Sequence, residues 1–192
     1  MFVRSASFLA KAADMEKKEL RKEVRFRKKQ HTDAELKALS QPIMRKLLEL
    51  SCIREASVVM MYCALPDEVY TLDAIHQLKA EGKRVVLPVV TGETTMELRE
   101  YESDADLHIG SFNIPEPCGR LFADYDKIDV VVAPGMGFDR CGNRMGRGKG
   151  YYDRFLQQVP GARKVGVCFP FQKFDSIPAD EHDVAMEMVI SG

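Results

Sequence analysis

"IDVVVAPGMGFDRCGNRMGRGKGYYDRFL", residues 128–156, decides the fold. Apart from Asp129, its first seven residues form an apolar, β-branched run, the mark of a strand buried on both faces. From Tyr151 the pattern reads as the start of a helix. Between them, residues 142–153 hold four glycines and three cations, then two tyrosines and an acid. Strand, glycine loop, helix is a unit from which parallel sheets are built.

Outward from that unit, "ASVVMMY" (56–62) reads as a second apolar strand, followed by a loop, a helix from Thr71 to about Glu81, and the strand "RVVLPVV" (84–90). "MELREYE" (96–102) alternates like a half-exposed strand, and "IGSFNIPEPCGRL" (109–121) reads as loop from its Pro and Gly content. "RKVGVCF" (163–169) and "MEMVI" (186–190) supply two more strands. Upstream, residues 15–50 are helical in character, with apolar positions at Leu20, Val24, Leu36, Leu39, Ile43, Leu47 and Leu50. Thr32 with Glu35 predicts a capping box that restarts the helix after a break near Gln30. Pro42 predicts either a kink or a fresh start capped by Ser40. The sum is an α/β, layered, Rossmann-like domain: a largely parallel sheet flanked by helices, with the N-terminal helices packed outside it. Ligands of such sheets sit at the carboxyl ends of the strands, so the loops after Tyr62 and Pro134 are expected to share one mouth.

Composition narrows the function. A length of 192 residues fits one domain with room for a core, and 45% hydrophobic with 30% charged residues reads as soluble and globular. No apolar run is long enough to span a bilayer, so no membrane partner is expected. "MFVRSASFLAKAA" lacks the sustained apolar stretch of a secretory signal, which leaves the cytoplasm as the expected location. A net charge of −1 argues against a general nucleic-acid binder. Cys52, Cys63, Cys118, Cys141 and Cys168 show no metal-ligand spacing and read as reduced packing residues, with Cys141 beside the glycine loop the one to watch. A monomer is expected.

Gly146, Gly148 and Gly150 alternate with Arg147 and Lys149. Bare backbone lets N–H groups approach an anion while the cations supply charge, and the helix from Tyr151 adds its N-terminal dipole. Asp153, in the first turn, suits a hard cation such as Mg2+. The loop is not a Walker A motif, because Asn143 holds the first glycine position and Gly150 replaces the Ser/Thr. Spacing alone leaves two readings open: a phosphate cradle, or a basic turn with Tyr151 and Tyr152 in the core. "KKELRKEVRFRKK" (17–29) carries eight basic residues and two acids, which fits a solvated helix face. Lys17 and Arg21 nevertheless share a face four residues apart and can reach one phosphate together. Glu68 follows the first strand in a loop. "DEHD" (180–183) reads as a polar turn from which Asp183 can join Asp153 on a metal.

Together "KKELR", "YCALPDEVYT", "VVVAPGMGFDRCGNRMGRGKGYYDRFL" and "DEHD" resemble the 5-formyltetrahydrofolate cyclo-ligase family, also called methenyltetrahydrofolate synthetases. The third element is the most specific, and the match runs from about Met15 to the end. Residues 1–14 are read as an extension and 15–192 as a single cyclo-ligase-like domain. The resemblance implies ATP- and Mg2+-dependent conversion of 5-formyltetrahydrofolate to 5,10-methenyltetrahydrofolate, with ADP and phosphate released. It implies ATP contacts from Lys17, Lys18, Glu19, Leu20 and Arg21 and from Arg144, Met145, Gly146, Arg147, Gly148, Lys149, Gly150, Tyr151 and Tyr152. It implies folate contacts from Cys63 and Glu68 and from Arg147 to Tyr151, catalytic roles for Lys149 and Arg147, and Mg2+ held by Asp153 and Asp183. Three alternatives stand beside this: an ATP-using enzyme with another acceptor, a non-catalytic nucleotide or folate sensor, and a nucleic-acid module using the basic N-terminal helix.

Overall fold

A computed structural model describes residues 3–110 and 115–192, with side chains from Glu16 onward. The N-terminal half contains helices α1 (Val3–Lys28), α2 (Asp33–Glu49) and α3 (Ser51–Glu55), strand β1 (Val58–Met60), helix α4 (Leu72–Ala80), and strands β2 (Arg84–Val90) and β3 (Met96–Tyr101). Short strands follow: β4 (Leu107–Ile109), β5 (Pro115–Pro117) and β6 (Leu121–Phe122). Then come β7 (Val130–Pro134), the hairpin strands β8 (Gly137–Phe138) and β9 (Arg144–Met145), and helix α5 (Tyr151–Leu156). Strands β10 (Arg163–Cys168) and β11 (Met188–Ser191) close the chain.

The central sheet runs β11-β10-β7-β1-β2-β3-β6. Its first five strands pair in parallel, while β3 and β6 are antiparallel additions at one edge. In β1, Val59 and the following Met61 face one core while Val58 and Met60 face the other, the period-2 division of a strand buried on both sides. Leu36, Ile43 and Leu47 of α2, Ile53 of α3, and Ile75 and Leu78 of α4 cover the first face. Phe155 and Leu156 of α5 cover the second. From β1 the chain goes to β2 on one side and later returns as β7 on the other. The β1/β7 junction is therefore the switch point where ligand crevices open.

The Thr32 capping box forms: the Glu35 amide donates to Thr32 Oγ1 at 3.3 Å and the Thr32 amide to Glu35 Oε2 at 2.7 Å. Other expectations change. Pro42 lies inside α2 and starts nothing. Ser40 is no cap; its hydroxyl donates to Leu36 O at 2.8 Å and accepts from the Tyr70 amide at 2.9 Å, tying α2 to the loop after β1. The 56–62 run narrows to the residues of β1, flanked by Met61 and Tyr62, which stay buried beyond its end. Inside 109–121, Pro115–Pro117 is strand β5, which pairs antiparallel with β4 just upstream, the prolines tolerated because the ribbon has only two strands. Cys118 and Cys141 are exposed, so they are not packing residues, whereas Cys168 is buried. The N-terminal helices pack outside the sheet as expected: α2 and α3 cover one of its faces, and α1 docks Leu20 and Val24 on Met136, Met145 and Ile177. Helix α1 also runs unbroken through Met15.

The β8–β9 hairpin is fixed by Asp139. Its carboxylate accepts from the amides of Cys141 (2.9 Å), Asn143 (3.0 Å) and Ile177 (2.9 Å) and from Asn143 Nδ2 (2.8 Å). Burial opposes its ionisation, but these donors outweigh it and hold the pKa below the ordinary 3.8. Asp139→Ala is expected to destabilise the fold by about 3 kcal/mol, since one buried and three part-buried donors lose their acceptor. Because the folded pKa is depressed, the carboxylate's contribution is complete above 3.8 and fades as pH falls below it. Urea melts of both proteins from pH 7 to 3 should therefore converge in acid. A constant gap between them would contradict this.

Candidate active site

The loops after β1 and β7 do share a mouth. A cavity of about 400 Å³ opens there, lined by Tyr62, Cys63 and Glu68 from the first loop and by Arg144 through Asp153 from the second. Lys17 and Arg21 of α1 form one wall, and Asp180 and Asp183 stand beside them. Pro88, Val90 and Met96 add an apolar side.

The loop's backbone explains its glycines. Gly148 (φ 103°) and Gly150 (φ 68°) adopt left-handed conformations that residues with a Cβ enter only with strain. Gly150 is the residue from which α5 starts. That helix has only six residues, so its dipole is a smaller contributor than its predicted role suggested. The cations supply the positive field instead.

Those cations are held differently. Arg144 is buried; its Nη2 donates to Asp153 Oδ1 at 2.7 Å and its guanidinium stands 5.4 Å from the Tyr152 ring centre. Among the described residues its Nε is buried without a partner. Arg147 pairs with Asp67 Oδ1 at 2.5 Å and Glu68 Oε1 at 2.9 Å. Glu68 also accepts from the Leu65 amide at 3.1 Å, which fixes it in its turn. Lys17 pairs with Asp183 at 2.5 Å, and Arg21 Nε donates to Gly146 O at 2.9 Å, so α1 is tied to both sides of the cleft. Lys149 differs: it is exposed at the cavity wall, and its ammonium has no ion-pair or hydrogen-bond partner among the described residues. The hydroxyl of Tyr151 donates to Gly92 O at 3.0 Å, which ties the loop to the β2–β3 turn. Tyr152 is half-buried, and burial pushes its phenol pKa well up. Burial likewise raises the Cys63 thiol to about 12, so it is a neutral wall rather than a nucleophile.

The predicted site residues therefore divide. Cys63, Glu68, Asp183 and all of Arg144–Asp153 line one cavity with Lys17 and Arg21. Lys18 and Glu19 are exposed outside it, Glu19 pairing with Lys22 at 2.7 Å, and Leu20 packs into the small core under α1. Sequence reasoning missed Asp67, Asp180 and Lys28. Asp67 sits in the quoted "ALPDEVYT" and carried a signal, an acid adjacent to Glu68. Lys28 carried one only in its spacing from Lys17 and Arg21.

For a cation, Asp153 and Asp183 present hard oxygens to the same cavity, and among the described residues no group of three or more potential ligands converges. That donor set fits Mg2+, which takes one or two carboxylates and completes its shell with phosphate oxygens and water.

A single crevice at the switch point of a parallel sheet, walled by a glycine-rich cationic loop and by an apolar side, defines an α/β protein with a ligand cleft. The 5-formyltetrahydrofolate cyclo-ligase family model matches residues 13–192, and the chain belongs to that family. It is similar to the 5-formyltetrahydrofolate cyclo-ligase of Mus musculus, at 28% identity over 91% of this chain and 92% of the relative. The enzyme of that name from Escherichia coli K12 is 28% identical over 88% of this chain and 96% of the relative. The solution structure of Aquifex aeolicus 5,10-methenyltetrahydrofolate synthetase superposes with a TM-score of 0.80 at 34% identity, covering 91% of this chain and 89% of that one.

Proposed function

We propose that the cleft carries out ATP-dependent conversion of 5-formyltetrahydrofolate to 5,10-methenyltetrahydrofolate with release of ADP and phosphate. The single observation that carries the site assignment is the cavity itself: phosphate-type and folate-type residues line one volume, so two substrates can meet there. The formyl oxygen attacks the γ-phosphorus and ADP leaves. The folate's N10 amine then attacks the activated formyl carbon, the carbon–oxygen bond breaks, and phosphate departs with the N10 proton. Little covalent chemistry falls to the protein; its work is alignment and charge neutralisation.

In this reading Lys149 meets the transferring phosphoryl group, having no internal partner to leave. Arg147 exchanges carboxylates for phosphate, and the backbone of residues 146–150 follows the phosphate chain. Asp153 and Asp183 would hold Mg2+, which would supply charge neutralisation for the phosphates. Lys17 and Arg21 close the ATP side, while Glu68 and Cys63 stand on the folate side. Residues 15–192 act as one domain carrying an extension of fourteen residues. Among the described residues no helix is long and apolar enough to cross a membrane, and we place the protein in the cytoplasm as a monomer with small-molecule partners.

Absorbance near the methenyl product band, with purified protein, Mg-ATP and 5-formyltetrahydrofolate, tests the activity: it should rise only when all components are present. A rise without ATP, or none with all present, would contradict it. Glu68→Gln should raise KM for the folate about tenfold and change KM for ATP less, because a carboxylate accepts pterin N–H donors better than an amide does. Equal effects on both would move Glu68 off the folate side.

A further inference from the structure

Helix α1 presents Lys17, Arg21, Val24 and Lys28 on one face, spaced by four, three and four residues. Lys17 and Arg21 reach the cleft directly. Lys28 does not line it. Its side chain is 4% exposed, and among the described residues its ammonium has one partner, Asp67 Oδ2 at 3.1 Å. The other oxygen of the same carboxylate accepts from Arg147 Nη2 at 2.5 Å. Asp67 is thus shared between a cation that is fixed in the protein and one that stands at the cavity wall.

We infer that Lys28 is a positioning residue for nucleotide binding, acting through Asp67 on Arg147. The inference rests on the reading of Arg147 as a phosphate ligand. To meet a phosphate, Arg147 must leave Asp67 and Glu68. Lys28 eases that exchange in two ways. In the free protein it divides the pull of Asp67, so Arg147 is held less tightly. In the bound protein it keeps Asp67 paired, so no naked carboxylate faces the incoming anion. Burial lowers the pKa of Lys28, and the neighbouring Asp67 opposes that shift, as expected for a lysine whose charge depends on one partner. Asp67 shows the complement: burial opposes its charge, but Lys28 and Arg147 prevail and its pKa falls below the ordinary value.

The test is a four-member cycle of the parent, Lys28→Met, Asp67→Asn and the double variant, with Lys28→Arg as the conservative replacement. Both KM in the methenyl assay and Kd for Mg-ATP by calorimetry are measured. Lys28→Met should raise both constants for ATP about tenfold, the effect of one charge-assisted contact, with kcat changed by less than about threefold. Lys28→Arg should stay within about twofold of the parent. On the Asp67→Asn background the Lys28→Met change should shrink below about twofold, because the route through Asp67 is gone. An undiminished Lys28→Met effect on that background would overturn the inference. So would a fall in kcat and melting temperature with ATP affinity unchanged, the signature of a packing role. If the parent binds Mg-ATP yet forms no product, the proposed reaction fails while the calorimetric cycle still decides the role of Lys28.

Discussion

Lys149→Ala is expected to lower kcat by about 10²–10³-fold, the loss seen when one preorganised donor to a developing charge is removed. The expectation comes from a contrast within one loop. Arg144 and Arg147 are engaged by carboxylates, and Lys149, between two glycines, has no such partner among the described residues. A cation held at a cavity wall without a counter-charge contributes nothing to the empty fold beyond its hydration. Deleting it should therefore leave the urea midpoint within experimental error while removing most turnover. Single-turnover measurement with saturating Mg-ATP separates chemistry from binding. A variant that folds and keeps the parent's rate would remove Lys149 from the reaction.

Asp153→Ala should be the most damaging change to stability in the site. It strips the buried Arg144 guanidinium of its ion-pair partner, with Pro134 O left as a long contact at 3.4 Å. Uncompensated buried charges of this kind cost about 3–5 kcal/mol. Asp153→Asn keeps an oxygen for Arg144 and should recover part of that loss. Both variants should lose activity, since each also loses the carboxylate assigned to Mg2+. Urea unfolding of the pair distinguishes the two jobs of Asp153. Equal stabilities for Asp153→Ala and the parent would show that Arg144 does not depend on this carboxylate.

The parallel core of the fold was legible because β1 and β7 are buried on both faces and read as apolar runs, and β10 becomes apolar after its two leading cations. The pairing of β4 with β5 was not, because Pro115 and Pro117 stand at the two ends of β5 and argue against a strand there. In the site, the glycine loop stood out by composition, yet which of its cations were free was invisible. That depends on Asp67 and Glu68, 80 and 79 positions away from Arg147, being brought across the mouth by the sheet. Lys28 was hidden for a similar reason. It is one of eight basic residues in a helix segment, and only the docking of Val24 against the β8–β9 hairpin turns its face inward.

The proposed reaction requires phosphorylation of the formyl oxygen. The most direct measurement supplies 5-formyltetrahydrofolate carrying ¹⁸O in the formyl group, with unlabelled Mg-ATP and water, and determines the mass of the phosphate released. Transfer of the label to inorganic phosphate, one atom per turnover, is the predicted result. Unlabelled phosphate, with the ¹⁸O appearing in water while methenyl product forms, would contradict it.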